Sequence, residues 1–261
     1  MQQIFILRYF IELAYKGTNY HGWQYQPGAV SVQETINKSL SILLKTNIDI
    51  VGAGRTDTGV HAKQMFAHFD SEVELKENQL IQKLNSFLPN DIAINGLIKV
   101  ADDAHARFDA TKRTYQYYIH TVKDVFEKEG SYFFQTPLDI KKMNAACKIL
   151  FKHNDFECFS KVNTDVKTFN CVIFEANWKL KKIRDNQDNN GIDKLVFTIT
   201  ADRFLRNMVR AIVGTMINIG TGKINIEDFE RIIESKDRSQ AGFSVPAHAL
   251  YLTKIDYEYL L

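Results

Sequence analysis

Residues 52–62, GAGRTDTGVHA, gather the side chains best suited to chemistry in this chain. Asp57 follows Arg55 by two positions, sits between Thr56 and Thr58, and precedes Gly59. A neighbouring guanidinium favours the charged form of a carboxylate. An ionised Asp held on a rigid turn can act as a nucleophile or a base. The competing reading is that Asp57 closes a turn, as Asp often does. The segment is not a phosphate-binding loop, because no Lys follows the glycines in the required register.

A second set is Arg203, Arg206 and Arg210, whose i, i+3, i+7 spacing puts them on one face of an expected helix. Leu205, Met208 and Ile212 form the opposite, apolar face. Such a stripe could grip phosphates or neutralise a buried carboxylate, or simply be solvated. Arg210 is followed by Ala-Ile-Val-Gly and therefore needs a partner, for which Asp57 is a candidate. A third set is the strand 113–118, RTYQYY, with Tyr115 and Tyr117 on one face. Aromatics on a sheet are stacking platforms for unpaired bases or core residues. His21, Trp23 and Tyr25, in the loop 16–30, either stack or close that loop.

The elements that must position these groups follow from periodicity. Leu7–Tyr15 alternates as a strand. Ser31 and Glu34 read as a capping box ahead of a helix with Ile36, Leu40, Leu43 and Leu44. Short strands are expected over 48–51 and 65–70, then a helix with Leu80, Leu84 and Leu88 stopped by Pro89, then a strand over 92–100. The second half repeats this grammar. A strand covers 114–121, and Asp139 caps a helix over 140–150. Strands follow over 172–180 and 194–200, and a helix over 204–219 ends at Gly220 and Gly222. Asn225 caps another helix, and 250–259 is the last strand. The pattern predicts an α+β protein of two similar halves, residues 1–105 with the Asp loop and residues 106–261 with the Tyr strand and the Arg helix. Each is an antiparallel sheet backed by helices, and a cleft between such halves is a natural site.

Composition excludes several classes. The 261 residues include 33 Lys+Arg and 31 Asp+Glu, with 45% apolar and 12% aromatic residues, which is ordinary for a globular protein. A formal charge of +2 names no partner, so any nucleic-acid contact must come from local clusters. No apolar run reaches the roughly 18 residues of a membrane span, and the N-terminus lacks a signal-peptide pattern. Cys147, Cys158 and Cys171 form no CxxC pair and fit reduced thiols in a cytosolic protein. The histidines show no metal-ligand spacing, so no metal is expected. Residues 185–193, DNQDNNGID, resemble a calcium loop only in composition. Lys179, Lys181, Lys182 and Arg184 make a basic strand end.

Taken together, the motifs resemble the tRNA pseudouridine synthase A family. The resemblance rests on Gly22-Trp23-Gln24-Tyr25-Gln26, on residues 53–62, on Arg107-Phe108-Asp109-Ala110, on Arg113-Thr114-Tyr115, on residues 204–210 (FLRNMVR) and on residues 246–252 (PAHALYL). Val245 stands where the family often has Ala, and Ala249 where it usually has Gly, which raises the question of a positive φ there. The resemblance implies a cofactor-free isomerase that forms pseudouridine at positions 38, 39 and 40 of the tRNA anticodon stem-loop. It also implies two RRM-like (ferredoxin-like) halves around a central basic cleft, a homodimer and a cytoplasmic location. By motif, Asp57 corresponds to the nucleophile, and Tyr115 to the tyrosine packed on the target base. Arg210 corresponds to the cation paired with the carboxylate, and Arg55 to the arginine that holds the flipped nucleotide. Arg203 and Arg206 are further substrate-binding candidates.

That reaction moves uracil from N1 to C5 attachment on C1′ without redox change or group addition. One carboxylate suffices as nucleophile or as a stabiliser of charge at C1′. A stem uridine must first be flipped, at a few kcal/mol, which stacking worth about 1–3 kcal/mol offsets. Two other readings remain open from sequence. One is a non-catalytic RNA-binding module, although no RNP1-like string is present. The other is a hydrolase pairing Asp57 with a second acid, although no second acid stands out.

Overall fold

Alternation of buried and wetter residues from Leu7 sets the first strand, β1 (Leu7–Tyr15), in which Tyr9, Ile11, Leu13 and Tyr15 are buried. The computed structural model describes residues 6–162, 166–182 and 193–260. Helix α1 (Val32–Leu44) begins where the Ser31 hydroxyl accepts the Glu34 amide at 3.2 Å, which satisfies one orphan donor of the first turn. The Glu34 carboxylate pairs with Lys38 Nζ at 2.6 Å. Then follow β2 (Val51–Gly52), β3 (His61–Ser71), α2 (Glu77–Phe87) and β4 (Ile92–Lys99). The strand pairs β1–β3, β1–β4 and β2–β3 are antiparallel.

The chain continues through β5 (Ala110–His120), β6 (Tyr132–Phe133), α3 (Ile140–Leu150), β7 (Ile173–Lys181) and β8 (Lys194–Ala201). It ends with α4 (Met208–Gly220), α5 (Ile226–Ser235) and β9 (Leu250–Tyr257). Asp139 Oδ1 accepts the Lys142 amide at 3.0 Å and starts α3. Asn225 and Asp228 close a reciprocal capping box on α5. The strands β5, β8 and β7 are antiparallel neighbours in that order, and β6 runs parallel to β5.

The fold is thus mixed α and β, and it divides into two compact units, Met1–Thr111 with Leu252–Leu261, and Lys112–Tyr251. This differs from the expected halves 1–105 and 106–261, because the last strand returns to the first unit. There β9 lies beside β3, giving the strand order β4-β1-β3-β9 with β2 also on β3. Gln64 Oε1 accepts the Ile255 amide at 2.9 Å, and Tyr257 rests edge-on against Phe66. In the second unit Tyr117, Phe197 and Trp178 are buried in the core, with Trp178 and Phe197 rings 4.9 Å apart. No helix among the described residues is long and apolar enough to cross a membrane.

Candidate functional site

Asp57 belongs to the first unit, on the loop between β2 and β3. That loop is clasped by the segment that follows β1. Trp23 donates its amide to Thr56 O at 3.2 Å, and Tyr15 shares a 2.8 Å hydroxyl bond with Thr56 Oγ1. Val60 donates to Asp57 O at 3.1 Å, so the carboxylate rides on a closed turn. Gly17 donates to His61 Nδ1 at 2.9 Å. Gly22 has φ +87°, and a Cβ there would collide with the Thr56 carbonyl. Only glycine combines that backbone with so close an approach. Asp57 itself is half-buried.

Arg55 is exposed on the same loop, and its Nε donates to Gln24 Oε1 at 3.1 Å. Gln24 in turn donates to Gln33 Oε1 at 2.8 Å, and Gln33 Nε2 donates to Ile50 O at 2.8 Å. An amide chain therefore ties Arg55 to α1 and to the segment before β2. Trp23 is 1% exposed and packs on Tyr15, so of the three loop aromatics this one closes the loop. Tyr25 and His21 are exposed.

The remaining candidates lie in the second unit. Tyr115 is half-buried on β5 and meets Phe204 edge-on, with centroids 5.1 Å apart. Tyr117 is fully buried and donates to Pro246 O at 3.0 Å, with burial driving its phenol well above its ordinary range. It is core. Arg210 lies on α4, its Nε donating to Val245 O at 2.7 Å. The segment carrying Val245 is braced by Ser244, whose Oγ accepts from Asn207 Nδ2 at 2.7 Å and from Arg238 Nη2 at 2.9 Å.

The expected helix over 204–219 starts late, at Met208. Asn207 takes a left-handed backbone, φ 69° and ψ −3°, a conformation Asn tolerates better than most residues but one that ends helical continuity. Arg203 and Arg206 therefore precede the helix, and the three arginines do not form one helical stripe. Arg206 is exposed, and Arg203 lies half-buried beside Asp202, whose Oδ1 accepts the Arg203 amide at 2.7 Å. Ala249 is buried and is not among the positive-φ residues, so the expected strain at that position does not arise.

Sequence reasoning missed Gln24 and Gln33, which hold Arg55 in the first unit, and Asn207, Arg238 and Ser244, which brace the segment bonded to Arg210 in the second. Lys179, Lys181 and Lys182 are exposed, whereas Arg184 and 185–192 of the acidic loop lie outside the described residues. The three cysteines are buried, and burial pushes each thiol up to about 12.

Comparison with known proteins bears on what this loop and helix serve. A family described as tRNA pseudouridine synthase matches residues 13–109 and 146–258. Both stretches carry candidate residues, Asp57 in the first and Arg210 in the second, while Tyr115 falls between them. The chain is 51% identical over 253 residues to tRNA pseudouridine synthase A of Bacteroides fragilis, covering 97% of each chain. It is 37% identical over 251 residues to tRNA pseudouridine synthase A of Bacillus subtilis, covering 94% of this chain and 97% of that one. A match of this extent, holding across both units, places the chain in the tRNA pseudouridine synthase family.

Proposed function

We propose that this protein isomerises uridine to pseudouridine at positions 38, 39 and/or 40 of the tRNA anticodon stem-loop, with Asp57 as the nucleophile. The family match across both units is the observation that carries this reading. The clasped loop supports the role of Asp57, because a nucleophile gains from being held in place before substrate arrives. In the reaction the N1–C1′ bond breaks and the Asp57 carboxylate takes up C1′ or its developing charge. Uracil turns, the C5–C1′ bond forms with loss of the carboxylate, C5 gives up its proton and N1 gains one. Tyr115, Arg55, Arg210, Arg203 and Arg206 bind the RNA in this reading. An unpaired uracil is gripped by stacking and the backbone by cations.

An RRM-like form for the units belongs to the same proposal. It is supported by the order β1-α1-β2-β3-α2-β4 in the first unit, with β1 between β4 and β3 and β2 on the far side of β3. A homodimer and a cytoplasmic setting complete the reading. Tritium release from tRNA labelled at uridine C5 is the direct assay. Wild-type protein releases tritium, while Asp57→Asn binds tRNA and releases none. Full release by Asp57→Asn removes the nucleophile assignment, and free uracil as product replaces the isomerase with a hydrolase.

A further inference from the structure

Residues 104–109 form a turn in the first unit whose tip is a phenylalanine held out in water. Phe108 is 74% exposed. An apolar ring normally folds back to recover the free energy of burial. Here the backbone leaves it little freedom to do so. The amides of Arg107 and Phe108 both donate to His105 Nδ1, at 3.1 and 3.3 Å. The His105 amide donates to Asp109 Oδ2 at 2.7 Å, and Tyr259 OH donates to the same oxygen at 2.7 Å. Ala106 is fully buried, with its amide on His68 Nδ1 at 3.1 Å and its carbonyl accepting from Tyr257 OH at 2.6 Å. The turn is thus fastened from below by two strands, and the face it presents carries Phe108 beside the exposed Arg107.

That face has a particular chemistry. The His105 ring lies 4.2 Å from the Phe108 ring at 33°, and the Arg107 guanidinium sits 5.7 Å from the Phe108 centroid. Aromatic rings flanked by arginine are the usual means of gripping unpaired bases. Asp102 and Asp103 are exposed just upstream, and they disfavour a phosphate at this point. What fits is the uncharged face of a base. A single projecting ring also falls far short of the roughly 800 Å² per partner that a stable protein interface needs.

We propose that Phe108, flanked by His105 and Arg107, is a stacking platform for an unpaired base of the tRNA substrate. The inference rests on the family-based reading of the substrate and adds a contact to it. The fixed turn means that the ring meets RNA without first losing conformational freedom, which favours affinity.

The test is equilibrium binding of the full-length protein to an anticodon stem-loop RNA across a salt series. Phe108→Ala weakens binding about 5- to 150-fold, the range that corresponds to one lost base stack, and leaves the slope of log K against log salt unchanged. Phe108→Trp restores the affinity, and its indole emission, above the background of the two buried tryptophans, is quenched on RNA addition. A melting curve confirms that both variants fold. Binding of Phe108→Ala within twofold of wild type overturns the platform. So does a slope reduced by about one, which marks a phosphate contact, or a changed subunit stoichiometry, which marks a protein contact. Wild-type protein that neither binds nor isomerises tRNA overturns the family-based reading instead, and the platform with it.

Discussion

Arg210 and Val245 hold each other twice. The Arg210 Nε donates to the Val245 carbonyl at 2.7 Å, and the Val245 amide donates to the Arg210 carbonyl at 3.3 Å. The side chain and the backbone of one residue thereby lock the same neighbour. Because Val245 is fully buried, the guanidinium is aimed by a fixed backbone segment and has little freedom to follow solvent.

That segment depends in turn on Arg238. Its Nη1 donates to Gly242 O at 3.1 Å and its Nη2 to Ser244 Oγ at 2.9 Å. Hydrogen bonds from a charged donor contribute about 1.5–3 kcal/mol each. Arg238→Ala is expected to lower kcat about tenfold and to raise KM for tRNA as well, since it disturbs the aim of Arg210, which binds the RNA in the proposed reading. Ser244→Ala shifts kcat in the same direction. The two effects combine less than additively, as expected for partners in one network. Steady-state kinetics on the four proteins of the cycle check this, and full additivity would count against a shared network.

Gly22→Ala strains the clasp around Asp57. The new Cβ meets the Thr56 carbonyl at a left-handed backbone position, so a loss of about 2–3 kcal/mol is expected. Urea denaturation measures that loss. Activity measured well below the melting temperature falls at least tenfold, since Thr56 immediately precedes Asp57, the proposed nucleophile. A fully active, destabilised variant would show that the clasp serves stability alone.

His68 makes the first unit sensitive to mild acid. Burial, then the nearby His105 and Arg8, lower it to about 4 from its ordinary 6.5, while Asp70 and Asp109 act in the opposite direction. The sign follows from linkage. Above pH 6.5 the ring is neutral whether folded or unfolded, and its contribution to stability is fully present. As pH falls, the unfolded chain takes up the proton first, so stability is lost between about 6.5 and about 4. Protonation also removes the Nδ1 acceptor of the Ala106 amide. His68→Gln flattens this window by about 1–2 kcal/mol. The carboxylates held low, Asp70 by Arg8 and Asp109 by the His105 amide, act at lower pH, so denaturation curves at pH 7 and pH 4.5 separate the two effects.

Much of the fold was legible because local signals agreed with tertiary burial. The strand expected over Leu7 to Tyr15 has the bounds of β1, although Phe10 is buried as well and breaks the alternation, and Asp139 and Asn225 announced helix starts that the side chains do cap. The start of α4 was not legible. Apolar spacing runs unbroken through Leu205 and Met208, and nothing in the sequence marks Asn207 as left-handed. Arg203 and Arg206 were misplaced onto the helix for that reason. The Asp57 loop was recognisable from its residues, but its supports were not. Gln24 and Gln33 act through contacts between a loop and a helix, and Arg238 through backbone carbonyls, neither of which leaves a periodicity to read.

The return of residues 252–260 to the first unit sets an order on biosynthesis. Chains usually complete their domains from the N-terminus as they emerge from the ribosome. Here the unit that carries Asp57 lacks β9 until the whole of the second unit has been translated. Loss of residues 252–260 would therefore damage the unit whose other strands precede Lys112.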